Sequence, residues 1–186
     1  MATIILDAGH GPNTAGKRSP DGKLVEFRFN SEVAELLRHY LLLEGVDVFY
    51  SHENSRDVPL SERASIANRL DADAFVSIHA NAFGNGWNEA QGIETYMYPQ
   101  VSKRTAALAN LIHSSMISAC GRKDRGVKTA NFAVLRETKM PAVLVECGFM
   151  TNREEASLLL SRAYRVQCAR AIGFGILSWL YHEKIV

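Results

Sequence analysis

The sequence predicts a three-layer α/β/α domain whose middle layer is a mostly parallel mixed sheet of about six strands flanked by helices. Three observations carry this. Short apolar runs alternate with longer helical patterns along the whole chain. Several of those runs are continuously apolar rather than alternating, as strands covered on both faces are. No internal repeat and no Pro- or Ser-rich linker divides the 186 residues, so one domain over residues 1–186 is expected, large enough to bury about 70% of its unfolded surface.

The elements follow in order. Residues 3–7 form the first apolar run, which stops at Asp7-Ala8-Gly9-His10-Gly11. Residues 30–44 place Val33, Leu36, Leu37, Tyr40 and Leu41 on one helical stripe and end at Gly45, a natural C-terminal stop. A second strand is expected at 46–50 and a shorter helix at 59–70, opened by Pro59. Strands at 74–79 and 92–98 are separated by a loop containing Gly84, Gly86 and Trp87. A helix over 102–119 precedes apolar runs at 132–136 and 142–147, both read as strands, and two helical segments lie within 152–182. There Trp179 and Tyr181 are expected to pack the last helix on the sheet.

Composition excludes several classes of function. With 21 basic and 20 acidic side chains the formal charge is +1, so there is no electrostatic footprint for nucleic acid or an anionic membrane. No apolar stretch approaches the roughly 20 residues that span a bilayer, and the first residues lack the basic start and apolar core of a signal peptide. The expectation is a chain made in the cytoplasm. Cys120, Cys147 and Cys168 are odd in number and widely spaced, which suggests reduced thiols rather than a disulfide framework.

Three predicted strands end in polar residues that have no place in a core: TIILDAGH at His10, AFVSIHAN at His79 and AVLVECGF at Glu146. In open α/β sheets ligands bind beyond the carboxyl ends of strands, so these three are candidates for one site. Two histidines and a glutamate are a ligand set for zinc in hydrolytic sites, with a fourth position left for water. Which glutamate completes the set stays open on spacing alone. Glu26, where the loop after His10 enters the first helix, competes with Glu146, and a glutamate at a helix start is also favourable to the macrodipole without any metal.

Motifs along nearly the whole chain resemble the zinc-dependent N-acetylmuramoyl-L-alanine amidases, the type found in bacterial autolysins and phage endolysins. They are DAGHG at 7–11, E-x-x-x-N at Glu26 and Asn30, L-x-x-R-x-x-x-A-N from Leu60 to Asn68, SIHAN at 77–81, GIETY at 92–96 and PAVLVECGFMTN at 141–152. The resemblance implies that His10, Glu26 and His79 hold one zinc ion while Glu146 is the catalytic carboxylate. It also implies the bond that is cut, the amide between N-acetylmuramic acid and the first L-alanine of the peptidoglycan stem. Asp7 would orient the His10 ring or cap the loop backbone. Asn81 reads as a loop residue, and Arg125 and Asn131 as residues able to line the cleft.

Two rivals set the terms for the structure. A nucleophilic-cysteine hydrolase would use Cys147, but successive strand residues face opposite sides, so Cys147 should point away if Glu146 points into the site. A catalytically dead wall-binding module should have lost a ligand or the acid, and both glutamates are present. The expected partner is peptidoglycan, with no nucleic acid, no membrane insertion and a cell-wall-binding domain either separate or missing. Without a leader the enzyme would act on the wall after release, by phage or mother-cell lysis, or would be the catalytic part of a longer protein, and an endolysin is the favoured reading.

Overall fold

A computed structural model describes residues 2–185. Its six strands are β1 (Thr3–Ala8), β2 (Asp47–Tyr50), β3 (Ala74–Asn81), β4 (Ile93–Met97), β5 (Asp124–Thr129) and β6 (Ala142–Phe149), ordered β2-β1-β3-β6-β4-β5 in one sheet. β1, β2, β3 and β6 run parallel, β4 pairs antiparallel to β6, and β5 runs parallel to β4. The expected mostly parallel mixed sheet is therefore present.

Six helices cover it: α1 (Glu26–Leu43), α2 (Leu60–Arg69), α3 (Lys103–Cys120), α4 (Ala133–Arg136), α5 (Arg153–Leu160) and α6 (Arg162–His182). The alternation of side chains along the strands divides the core in two. Ile4, Leu6, Val76, Ile78, Val143 and Val145 enter the larger core with α1, α3 and α6. Their neighbours Ile5, Phe75 and Leu144 enter a smaller one with Ala67 of α2 and Val134 and Leu135 of α4. Apolar residues on both faces explain why the central strands read as continuous runs.

Helix starts follow their caps. The side chains of Ser102, Asn152 and Ser161 each accept a backbone N–H in the first turn of α3, α5 and α6. α1 begins at Glu26 rather than at residue 30, and the residue before it, Val25, caps with no side-chain bond, so no polar cap marked that start. Gly45, with φ 76, ends α1 as expected.

Two expectations are corrected. Residues 132–136 are not a strand: 133–136 form the single turn α4, whose Val134 and Leu135 close the smaller core. A short apolar run is equally compatible with a buried helical turn. The strand lies earlier, at β5, where the sequence DRGVKT is polar because β5 is an edge strand with a half-exposed face. In α6, Trp179 is fully buried and donates to the Arg104 carbonyl, whereas Tyr181 is 74% exposed. Residues two apart on a helix project to nearly opposite sides, so both could not pack inward. Among the described residues no helix is long and apolar enough to cross a membrane.

Candidate active site

β1 ends at Ala8, and the chain turns through Gly9-His10-Gly11 over the carboxyl ends of β1 and β3. Gly9 donates its N–H to the Ile78 carbonyl, and a Cβ built on it would lie 2.1 Å from the His79 ring. Only glycine leaves room for that imidazole. His10 has φ 66, a left-handed conformation that costs a residue with a Cβ about 1 kcal/mol or more and persists only where the surroundings enforce it.

Arg63 of α2 does the enforcing. It is 2% exposed; its Nη1 donates to Asp7 Oδ1 at 2.8 Å and to the Ala8 carbonyl at 2.6 Å, its Nη2 to the His10 carbonyl, and its Nε to the Val58 carbonyl. Asp7 is buried as well and accepts the Ser51 hydroxyl at 2.7 Å and the Ser77 hydroxyl at 2.6 Å. Burial alone would raise the Asp7 pKa, but the Arg63 charge and these hydroxyls outweigh it and hold the carboxyl below its usual range. Asp7 therefore does not touch the His10 ring: it anchors Arg63, and Arg63 shapes the His10 loop. The Ala8 N–H is taken by His52 Nδ1 at 3.0 Å.

Glu26, the first residue of α1, is 3% exposed and lies between the two histidines. Its Oε1 is 3.0 Å from His79 Nδ1 and its Oε2 3.1 Å from His10 Nε2. The Ala80 N–H also donates to Oε1, and Asn30, one helical turn on, donates to the Gly9 carbonyl at 3.0 Å. Burial would push the Glu26 carboxyl up, but the hydrogen bonds and charges of His10 and His79 prevail and bring it down to about 2. The imidazoles stand nearly perpendicular, 5.2 Å between centroids, and one ligand atom from each of His10, Glu26 and His79 can be chosen so that all lie within 4.8 Å of one another. No other group of this kind occurs among the described residues.

Glu146 is paired with His79 in the β3–β6 register. It lines a cavity of about 520 Å³ together with His10, His79, Lys17, Asp57 and Phe132. Its Oε2 is buried with no hydrogen-bond partner. Burial, reinforced by the Glu26 and Glu94 charges against the opposing His79 and Lys17, pushes its pKa up to about 8. Cys147 projects into the opposite core and is fully buried. The cysteine-hydrolase rival thus lacks a nucleophile at the cavity. Burial raises the Cys168 thiol, and contact with Cys168 together with burial raises that of Cys120. Since the thiolate is the reactive form, amidase activity is expected to survive iodoacetamide at neutral pH; loss of activity in step with alkylation would refute this.

The structure thus brings His10, His79 and Glu146 to one cavity, with Glu26 buried against the two imidazoles. Arg125 and Asn131 are not on its wall: Arg125 lies on β5, and Asn131 accepts from Arg136 at the surface. Asn81 serves its loop through the Ala82 N–H, as expected, but also donates to Glu94 at 3.3 Å. Sequence reasoning left Arg63 and Glu94 without roles although both stand in quoted motifs. The only signal was a charged residue amid positions that the folded chain buries.

The profile of the N-acetylmuramoyl-L-alanine amidase family matches residues 4–178. The chain belongs to that family. It is a peptidoglycan amidase. Its relatives include the N-acetylmuramoyl-L-alanine amidase CwlM of Bacillus licheniformis, 39% identical over 178 residues that make up 95% of this chain and 68% of the relative. The endolysin of Bacillus phage SPP1 is 35% identical over 193 residues, 97% of this chain and 67% of the relative. Among solved structures, an N-acetylmuramoyl-L-alanine amidase from Clostridium difficile 630 superposes with a TM-score of 0.92 at 37% identity, covering 97% of both chains. The amidase fold and the sequence motifs therefore agree over almost the whole of residues 1–186.

Proposed function

We propose that this amidase is a zinc enzyme, one catalytic domain over residues 1–186, acting at the cell wall on the amide between N-acetylmuramic acid and the L-alanine of the peptidoglycan stem. The observation that carries the reading is the convergence of two imidazoles and one buried carboxylate, with ligand atoms within 4.8 Å, beside a second carboxylate that has an unpartnered oxygen.

The residues fit such an ion. Two His and one Glu are a donor set of hydrolytic zinc sites. Glu26 is already ionised at neutral pH, so binding need not displace its proton. Asn30 and the Ala80 N–H orient it from outside the cluster, and the missing Cβ of Gly9 leaves the His79 ring its place. Zinc held by this set supplies Lewis acidity, lowering the pKa of a water toward about 7 and polarising a carbonyl.

The chain's own part is proton transfer. Glu146 Oε2 takes a proton from the attacking water and returns it to the departing amine nitrogen, without which an amide anion would have to leave. Burial raises the proton affinity that the second half of this task needs, and the charge of a cation held by His10, Glu26 and His79 would lower it again, leaving the carboxylate ionised for the first half. The cavity seats the amide between Glu146 and the His10–Glu26–His79 group, which converts a bimolecular encounter into an oriented one.

Mass spectrometry of purified peptidoglycan after digestion tests the reading. Stem peptides with a new free N-terminal alanine are expected, lost with a strong chelator and restored by zinc. Chelator-resistant release would remove the metal from the reading, and no release under any condition would leave only a binding module.

A further inference from the structure

Beyond Glu146, next to the cavity but outside its lining, lies a second cluster. In the β4–β6 ladder Glu94 stands directly opposite Glu146 and Tyr96 opposite Leu144; in the β4–β5 ladder Lys128 stands opposite Tyr96. Residues paired across a ladder share a face of the sheet, so Glu94, Tyr96 and Lys128 lie on the face that presents Glu146. Tyr96 packs edge-on against Phe132, which lines the cavity.

Glu94 is 2% exposed. Its Oε1 accepts Arg125 Nε and, at 2.9 Å, Lys128 Nζ; its Oε2 accepts the Tyr96 hydroxyl and Asn81 Nδ2. One carboxylate thus holds two cations, which leaves the cluster with an excess positive charge. Both cations reach solvent, the Arg125 and Lys128 side chains being 30% and 39% exposed. Arg125 is held on three sides: Nε by Glu94, the guanidinium plane 4.9 Å over the Phe149 ring, and the stem against Gly92, where a Cβ would come within 2.9 Å of Arg125 Cγ. Its Nη1 and Nη2 make no hydrogen bond among the described residues. A fixed guanidinium with its fork open is the geometry that binds a planar carboxylate in bidentate fashion. Anchoring an edge strand does not require it, since apolar contacts would do so without desolvating a carboxylate.

Resting on the amidase reading above, we infer that Arg125 and Lys128, clamped on the buried Glu94, form a carboxylate-binding subsite that takes an acidic residue of the stem peptide beyond the scissile amide. The glycan of this substrate is uncharged, and its carboxylates sit on the peptide. The stem therefore runs from Glu146 over β4 toward β5, and the glycan leaves on the opposite side. Lys17, whose charge acts on Glu146, lines the cavity from the loop between β1 and α1 and stands outside the subsite.

The test uses two soluble muramoyl-peptides identical except that the residue after L-alanine carries a free carboxylate in one and a carboxamide in the other. With the zinc-loaded enzyme the carboxylate form is expected to be preferred about tenfold in kcat/KM, chiefly through KM. In Arg125→Gln/Lys128→Gln the ratio should fall to near one, in each single variant to an intermediate value, and in Lys17→Gln it should stay near ten. A ratio that survives in the folded, zinc-replete double variant, with both substrates slowed alike, makes the pair structural and overturns the inference, as does a ratio lost in Lys17→Gln instead. Should the single variants alone fold, an unchanged ratio in both has the same meaning. Equal use of the two substrates by the wild type sinks the subsite while leaving the amidase reading intact; cleavage of neither sinks both.

Discussion

Glu146→Gln is expected to lower kcat by about a hundred- to ten-thousand-fold, the range in which general acid–base groups contribute, while zinc content stays at one per chain. Glutamine preserves the shape of the side chain but cannot accept a proton from water at neutral pH. Because Glu146 makes no hydrogen bond through Oε2 and is not among the three clustered donors, the substitution leaves the His10–Glu26–His79 group in place. The interaction lost belongs to the transition state, so kcat and kcat/KM should fall together with KM little changed. Glu26→Gln provides the contrast: it leaves two imidazoles around a neutral amide and should lose the metal along with activity. Elemental analysis beside steady-state kinetics separates the two cases. Near-normal turnover in Glu146→Gln would end its role as the proton carrier, and loss of zinc in that variant would make it a metal ligand.

Arg63→Leu should destabilise the protein by about 3–5 kcal/mol, the usual result of removing one partner from a buried ion pair, and should weaken zinc binding although Arg63 is not a candidate ligand. Asp7 would be left buried opposite an apolar side chain, and the carbonyls of Ala8 and His10 would lose the donor that holds the left-handed turn. The pH dependence identifies the cause. In the wild type the folded-state pKa of Asp7 lies below its ordinary 3.8, so the stability it contributes is present above about pH 4 and is lost as pH falls through the folded value. Without Arg63 its largest remaining influence is burial, which raises the pKa; the folded state then holds the proton better than the unfolded one, and the Asp7 contribution declines as pH rises above about 4. Urea melts from about pH 3.5 to 7 should show the deficit of the variant widening with pH. A deficit independent of pH would mean that the cost comes from lost packing alone.

The legible parts of the fold were those whose residues announce their surroundings locally. β1, β3 and β6 are buried on both faces, so most of their positions need apolar side chains and they read as nearly continuous runs that lead to His10, His79 and Glu146. β5 could not be read in this way. It pairs on one side only and is half exposed, so its residues are polar, while the apolar 132–136 segment was free to form either a strand or the helical turn α4.

His10, His79, Glu146 and the expectation of one site followed from the sequence by itself, because a polar residue ending an apolar strand has few structural reasons to be there, whereas Glu26 at a helix start was only a competing candidate. Choosing between Glu26 and Glu146 as the carboxylate among the histidines required the motifs, since spacing left both open. What only the tertiary structure decided is how these residues meet: α1 sets Glu26 between rings 16 and 53 positions away, α2 brings Arg63 under the His10 turn, and β4 sets Glu94 opposite Glu146. The reason is physical. Strand and helix periodicity record which face of an element is buried, a local property, whereas a hydrogen bond between elements depends on their relative placement, which the packing of the entire core sets.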